Sequence, residues 1–422
     1  MIQPQKKIDV TVVGGGMIVN DQLLPSLYHL QRVGVIRDIH VVDQSTRSLR
    51  ALAESPDFAQ NFPGQQFTPH PDLEEPPENT NPDLFREVIA AIEPRNVVLV
   101  ALPDHLHYMA VKEALDHDQN VLSVKPLVIK YEQTVEIEQL AYEKGLFVAA
   151  EYHKRFDRRS LLAKRRYAAG QFGEFIYGEA KLFEPYYYRH SNFQNWFLVD
   201  NTDPFVYIGC HYVDLVWFIT GLKPVRVSVT GVKGRFPNGN EGYLWSNARV
   251  VYENGAILAV SNGLGYPNAA AGSNDQGLLM FFEGDEKTGY LKHNDQFRGV
   301  ECSFLEGMGP SGQQFNYINP DYFQYVLWEG DGLKPVGYGY DSVAASMTAI
   351  SLLGSETEGM EDEEALQRRQ EILKEIDAKG ILATPANAYI NELVTEAARL
   401  SIQNDGKFAS ISYDPAPHVD LE

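Results

Sequence analysis

Three consecutive glycines, Gly14-Gly15-Gly16, follow the apolar run that ends at Val13 and are the first residues whose types and spacing suit a particular chemistry. Gly14 and Gly16 fall on the first two glycine positions of a G-x-G-x-x-G loop. The first glycine permits a tight turn, and the second lets backbone amides approach a pyrophosphate at a helix N-terminus. With Met17 and Ile18 they make the segment expected to meet a dinucleotide. The third position is Val19, bulkier than glycine or alanine, so the helix–strand contact there must be looser or rearranged, and Pro25 argues for a late helix start. A glycine cluster by itself also fits a plain strand-to-helix turn. The second apolar run ends in Val41-Val42-Asp43, where a carboxylate can bind both ribose hydroxyls of NAD. The distance in sequence from Gly14 is longer than usual and calls for a longer first helix. Asp43 would repel a 2′-phosphate, so NAD is expected over NADP, although Arg47 lies close enough to soften that preference. Lys125 closes a later apolar run, at the strand end where open α/β sheets place ligands; it also fits an ordinary surface lysine.

The elements around these residues alternate. Apolar runs at 8–13, 39–42, 97–101, 121–124 and 147–150 are separated by amphipathic stretches at 23–31, 108–115 and 132–143. Continuous apolar strands interleaved with helices predict an α/β Rossmann domain with a parallel, doubly wound sheet. Residues 68–83, rich in proline and acids, read as a surface loop. Beyond about residue 151 the rhythm changes. A helix is expected at 158–169, then strands at 174–183, 225–232, 248–252 and 257–262 without intervening helices, and 267–276 reads as a loop. This half is expected to be α+β with a large, open, mixed or antiparallel sheet. Residues 360–379 read as an exposed charged helix, and 388–402 as an amphipathic helix that closes the second domain. The predicted division is a dinucleotide-binding domain at 1–127 and a substrate-binding and oligomerisation domain at 128–422.

Composition narrows the function classes. The chain has 422 residues, 36 basic against 57 acidic, for a formal net charge of −21. Such a surface repels nucleic acid and anionic membranes. No window carries the run of about 18 apolar residues that a membrane span needs, and the N-terminus lacks a signal-like apolar stretch, which favours a cytoplasmic protein. Cys210 and Cys302 can form neither a disulfide framework nor a thiolate metal cluster, so no metal is expected. Cys210 beside His211 resembles a nucleophile pair, but adjacent helical residues point about 100° apart.

Taken in order, several segments resemble the glucose–fructose oxidoreductase, inositol dehydrogenase and rhizopine-catabolism family, Gfo/Idh/MocA. Val98-Leu99-Val100-Ala101-Leu102-Pro103-Asp104-His105-Leu106-His107 is similar to its T-P-x-x-x-H segment, with Leu102 in place of Thr. Asn120-Val121-Leu122-Ser123-Val124-Lys125-Pro126-Leu127 is similar to H-V-L-x-E-K-P-L, and Tyr152-His153-Lys154-Arg155-Phe156-Asp157 to Y-N-R-R-F-D. Gly173-Glu174-Phe175-Ile176 follows as its G-E-I. Gly209-Cys210-His211-Tyr212-Val213-Asp214-Leu215 resembles its G-x-H-x-x-D-L helix. The sequence departs from the pattern at Val124, where the family has Glu, and at Tyr207, where many members have Asp.

The resemblance implies a nicotinamide-dependent hydride transfer at a secondary alcohol or ketone of a sugar or polyol. It places Leu102, Pro103, His107, Lys125 and Pro126 at the cofactor, with a Lys125–Pro126 bond that can be cis. It makes Lys125 and His211 the acid/base pair, since the hydroxyl becomes acidic as hydride leaves and a base of matched pKa must take its proton. His211 also fits a satisfied core histidine on an apolar helix. Tyr207, one helical turn earlier, could donate a hydrogen bond to substrate or simply fill space. Asp214 reads as a structural acid. His153, Arg155, Tyr186 and Trp196, like Tyr207 and His211, are candidate substrate contacts, because aromatic faces stack on sugar C–H groups while arginine and histidine bind hydroxyls. Two other functions stay open: a redox-neutral glycosidase or lyase acting through a transient keto sugar, and a non-catalytic NAD-binding regulator. The family's open sheet face further implies a homodimer or homotetramer.

Overall fold

The computed structural model describes residues 6–270, 274–285, 287–294, 304–306, 314–316 and 321–422. They gather into two compact units: Met1–Val128, Glu132–His153 and Tyr325–Ala388 form one, and Ile129–Tyr131, Lys154–Gln324 and Tyr389–Glu422 the other. A single boundary after residue 127 does not describe them, because the chain returns to the first unit after building most of the second.

In the first unit, β1 (Ile8–Val13), β2 (Ile36–Val42), β3 (Thr68–His70), β4 (Val97–Val100), β5 (Asn120–Val124) and β6 (Val148–Glu151) form a sheet in the order β3-β2-β1-β4-β5-β6. All five pairings are parallel. The strand order reverses between β1 and β4, the switch point at which doubly wound sheets bind ligands. Strands such as Val97–Val100 are buried at every residue, as a sheet covered on both faces requires. The start of the expected loop at 68–83 is β3, whose Pro69 sits opposite Val41 on the sheet edge, where a missing N–H costs no ladder bond.

Two helices late in the chain, Tyr338–Glu356 and Asp362–Lys379, belong to this unit. They bury Val343, Met347, Ile350, Leu353, Ile372, Leu373 and Ile376 in the same core as β1 and β2. The second was expected to be exposed; its leucines and isoleucines recur at helical spacing and seat one face, leaving the charges outside.

The second unit holds an eight-stranded sheet among the described residues. It comprises β7 (Glu174–Pro185), β8 (Pro224–Arg235), β9 (Glu241–Tyr252), β10 (Ile257–Tyr266), β11 (Asp275–Gly284) and β12 (Lys287–His293), with two further strands at one edge. Two short ribbons intervene in sequence, β13 (Phe304–Glu306) with β14 (Gln314–Asn316), and β15 (Gln324–Val326) with β16 (Lys334–Val336). The edge strands are β17 (Ala409–Ser412) and β18 (His418–Leu421), and the full order is β12-β11-β7-β10-β9-β8-β17-β18. β7 and β10 run parallel and the other pairings are antiparallel, so the sheet is mixed. Its inner face packs on the helices Arg158–Ala168, Cys210–Thr220 and Pro385–Ile402.

An acid network ties this unit together. Asp157 caps the helix Arg158–Ala168 by accepting from Arg159 N–H at 2.9 Å, and meets the Arg159 side chain and His293 Nε2, the latter at 2.9 Å. Burial alone would push its carboxyl up, but the hydrogen bonds from His293 and Arg159 outweigh burial and hold it at about 2. A carboxyl that titrates at about 2 in the fold and at its ordinary 3.8 when unfolded stabilises the fold above 3.8. That contribution, about 2 kcal/mol, is lost as pH falls from 3.8 through about 2. Asp157→Asn should therefore lower the unfolding free energy by about that amount at pH 7, and denaturant titrations should show the gap from wild type narrowing as the pH drops below 4.

Candidate functional site

The glycine loop departs from the expected helix start. Met17 and Ile18 are already helical, and Val19–Leu23 form a π turn that runs into the α-helix Leu24–Arg32. The Leu24 N–H reaches back five residues to Val19 O. This wide turn explains how the two awkward residues fit. Val19 is fully buried where a glycine would pack closely, and Pro25 enters at the N-terminus of the α segment, where its missing N–H is harmless. The helical path from Met17 to Arg32 takes up the long interval before Asp43.

Gly14 has φ +108°, and a Cβ there would lie 2.3 Å from Ala101 O, so only glycine lets β1 end this close to β4. At Gly16 nothing lies within 4 Å of the added carbon. Gly14 and Gly15 are thus buried in the turn, and Gly16 presents exposed backbone at the sheet's switch point. Asp43 lies beside it at the end of β2. Its Oδ2 accepts from Gly15 N–H at 2.9 Å and from the Ser48 hydroxyl at 2.6 Å, and its Oδ1 accepts from Gln44 N–H at 2.6 Å. The carboxylate is thereby held in one orientation beside the glycine loop. Arg47, on the helix Thr46–Ala53, is exposed. A glycine loop exposed at Gly16, next to an oriented carboxylate, suits the pyrophosphate and ribose of NAD.

Lys125 and Pro126 follow β5 through a cis peptide bond, and Lys125 is half-buried at the same C-terminal edge of the sheet as Gly14 and Asp43. Leu102 and Pro103 follow β4 on that edge. His107 takes a different part from the one the resemblance suggested. It is fully buried, with one ring nitrogen 2.7 Å from Leu102 O and the other 2.7 Å from Pro126 O. Both nitrogens are engaged by backbone, so His107 clamps the turns after β4 and β5 and does not itself face a ligand.

His153 is in this unit too, two residues beyond β6. Its Nδ1 lies 2.8 Å from Glu151 Oε2, and its ring stacks on Tyr338 with centroids 5.5 Å apart. Glu151 escaped the sequence reading. An acid closing a buried parallel strand, just ahead of the Tyr152-His153 pair, was the available signal.

In the second unit, Arg155 is not available to a substrate. It is 1% exposed and forks onto the buried Asp214, with Nε–Oδ2 at 2.8 Å and Nη2–Oδ1 at 2.5 Å. Asn391 Nδ2 donates to the same carboxylate at 2.7 Å. This confirms Asp214 as a structural acid and corrects Arg155, whose planar fork closes a core ion pair.

His211 lies near the start of the helix Cys210–Thr220 and is buried. Gly209 ahead of it allows close seating on β10, since a Cβ would sit 2.5 Å from Asn262 Oδ1. Tyr207 is in a π turn, Phe205–Gly209, with edge-on contacts to Phe193, Trp196 and Phe197 at 5.2, 5.7 and 5.6 Å. The fold thus joins Tyr207 and Trp196 in one aromatic cluster. Tyr186 is exposed elsewhere, under the Arg189 guanidinium at 5.0 Å, which also lies 5.8 Å from the Trp245 ring. Cys210 is buried, and Cys302 lies outside the described residues.

Comparison with known proteins agrees with this geometry. Residues 8–152 match the model of an oxidoreductase family with an NAD-binding Rossmann fold, and residues 160–276 match the GFO/IDH/MocA C-terminal domain. An uncharacterised oxidoreductase of Schizosaccharomyces pombe is 32% identical over 120 residues, 28% of this chain and 32% of that protein. The D-glucoside 3-dehydrogenase of Escherichia coli is 25% identical over 144 residues, 33% of this chain and 39% of the enzyme. These curated relatives are matched over less than two fifths of their own length. The structure of scyllo-inositol dehydrogenase from Lactobacillus casei with bound NAD(H) and scyllo-inositol superposes with a TM-score of 0.54 at 14% identity, covering 96% of this chain and 99% of that one. At that identity the likeness is one of fold. Among the described residues no helix is long and apolar enough to cross a membrane. With a glycine cradle and an oriented carboxylate at the switch point of one unit, a large mixed sheet in the other, and both family models matched in order, the chain belongs to the Gfo/Idh/MocA family of NAD-binding oxidoreductases.

Proposed function

We propose that this oxidoreductase moves a hydride between NAD and a secondary alcohol or ketone of a sugar, polyol or sugar derivative. The observation that carries the reading is the common edge in the first unit: the Gly14–Gly16 loop with Gly16 exposed, the oriented Asp43 carboxylate and Lys125 all follow C-terminal strand ends of one sheet. The names of the glucoside and inositol dehydrogenases it resembles support the substrate class. Bound NAD would supply a nicotinamide ring that accepts hydride. The chain's own residues do the rest. Amides of Gly16 and Met17 meet the pyrophosphate, since those of Gly14 and Gly15 already donate to Val42 O and Asp43, and Asp43 accepts from the ribose hydroxyls. Lys125 takes the proton from the carbinol oxygen during oxidation and returns it during reduction. In the second unit His211 is buried near the start of its helix, and Tyr207 serves mainly to pack the aromatic cluster.

Absorbance at the reduced-nicotinamide band, with NAD and then NADP against a panel of sugars, inositols and glycosides, tests this directly. A stoichiometric rise supports the dehydrogenase. Aglycone release that needs NAD but yields no net reduced nucleotide would favour the redox-neutral reading, to which the replacements at Val124 and Tyr207 lend some support. NAD binding with neither signal would leave a regulator. Asp43→Asn should raise KM for NAD about tenfold or more, the worth of a charge-assisted hydrogen bond, and narrow the preference over NADP. Unchanged nucleotide kinetics would remove Asp43 from the site.

We further assign the outer face of the large sheet to pairing between copies of the chain, as a dimer or tetramer. Tyr177, Phe281 and Tyr290 lie on consecutive strands of that face, with Phe183 against Trp245 further along it. Phe281 and Tyr290 are 42% and 58% exposed, an apolar surface larger than isolated side chains require. Light scattering of wild type and of Phe281→Glu measures it; a monomer in both would reject the assignment.

A further inference from the structure

The end of β6 carries a buried network that the hydride-transfer reading leaves unused. Glu151 is 4% exposed, and each of its carboxylate oxygens has a partner. Oε2 faces His153 Nδ1 at 2.8 Å; Oε1 accepts from the Gln22 amide at 3.0 Å and meets the Ser342 hydroxyl. The Gln22 amide also donates to Gly339 O at 3.0 Å. His153 is held on a second side by Tyr338, whose ring is inclined only 25° to it. The imidazole is therefore oriented along one edge by a carboxylate and across one face by a phenol ring.

The network also lies close to the lysine. Glu151 shares a rung of the parallel ladder with Val124, the residue before Lys125, and neighbouring strands stand about 4.8 Å apart. Gln22 belongs to the π turn that follows the glycine loop. A lock between these elements needs no ionisable groups, and burying a carboxylate is costly unless its charge is used or fully hydrogen-bonded.

We propose that Glu151 and His153 form a proton-handling dyad for the reaction assigned to Lys125, on whose role the inference rests. Glu151 is the positioning residue: by accepting the Nδ1 proton it selects the tautomer in which Nε2 gains and loses the mobile proton. The carbinol O–H bond breaks as Lys125 Nζ takes the proton. Directly or through one water, that proton passes to His153 Nε2, forming an N–H bond that later breaks to solvent. No electrons pass through the dyad, since both leave the substrate with the hydride.

The test uses the full chain with NAD and the best substrate of the panel. His153→Asn is expected to lower kcat by about 100-fold, and Glu151→Gln by about tenfold, with NAD affinity within about twofold of wild type. Added imidazole should restore part of the rate to His153→Gly. Unchanged kcat in His153→Asn, or loss of thermal stability and NAD affinity in place of kcat, overturns the dyad. Lys125→Met that retains turnover while His153→Asn loses it removes the lysine reading and leaves the dyad standing. If wild type turns over no substrate, nitrogen-15 spectra of the histidines in the NAD complex decide. A protonated Nδ1 at His153, lost in Glu151→Gln, supports the dyad, and a protonated Nε2 in the neutral ring overturns it.

Discussion

Lys125→Met is expected to lower kcat by roughly 10²–10⁴-fold while NAD still binds, the range a positioned acid/base contributes. Methionine keeps the length and apolar stem of lysine and removes only the amine, so β5 and the turn after it should stay folded. The residue lies half-buried at the end of β5, and His107 clamps that turn through Pro126 O. The clamp makes a companion prediction for His107, which should affect KM and kcat together if lost, because it holds two turns of the edge in place. Single-turnover kinetics with prebound NAD isolate the chemical step. If Lys125→Met retains wild-type single-turnover rates, the site assignment is wrong.

The second large effect concerns stability. Either Arg155→Ala or Asp214→Ala should cost about 3–5 kcal/mol, because each leaves a buried charge without its partner. Arg155 is 1% exposed and the Asp214 side chain equally so, which leaves no route for water to solvate the survivor. Asp214 also accepts from Asn391 at 2.7 Å on the helix Pro385–Ile402, so its loss disturbs three segments of the second unit. Replacing the pair together, Arg155→Ala with Asp214→Ala, should cost less than the two single changes summed, since no lone charge remains. Denaturant unfolding of the four proteins measures the coupling. Additive losses would mean that the pair is not coupled as its geometry demands.

The two departures from the family pattern have separate physical outcomes. Val124 packs against the apolar core of the first unit, and on the adjacent strand the same rung carries Glu151. Tyr207 turns toward Phe193, Trp196 and Phe197 and completes an aromatic cluster. Neither position keeps the acid of the pattern, and the first of them has a buried acid one strand away.

Much of the frame was legible from residue order alone. Runs of apolar residues four to six long, spaced by amphipathic stretches, identified β1, β2, β4, β5 and β6, because hydrophobic period is a property of a short window. Gly14 and Asp43 were legible for a related reason: a turn with positive φ and a carboxylate at a strand end each depend on local backbone geometry. Strand patterns without intervening helices predicted a mixed or antiparallel sheet in the second half, and apolar spacing predicted the helix at 388–402.

What the tertiary structure alone decided was partnership. Arg155 had the chemistry of a substrate contact until the fold brought it to Asp214, 59 residues away. Glu151 acquired Gln22 and Ser342 across 129 and 191 residues, and the helices at 338–379 returned to a unit whose sheet had closed far earlier in the chain. Val19 and Pro25 signalled an irregular helix start, but the π turn that accommodates both depends on the packing of that helix against the core. Local sequence sets which residues can form an element and which groups can ionise or donate. Whether a given charge meets water, a ligand or a buried counter-charge is settled by distant segments whose arrival no short window encodes.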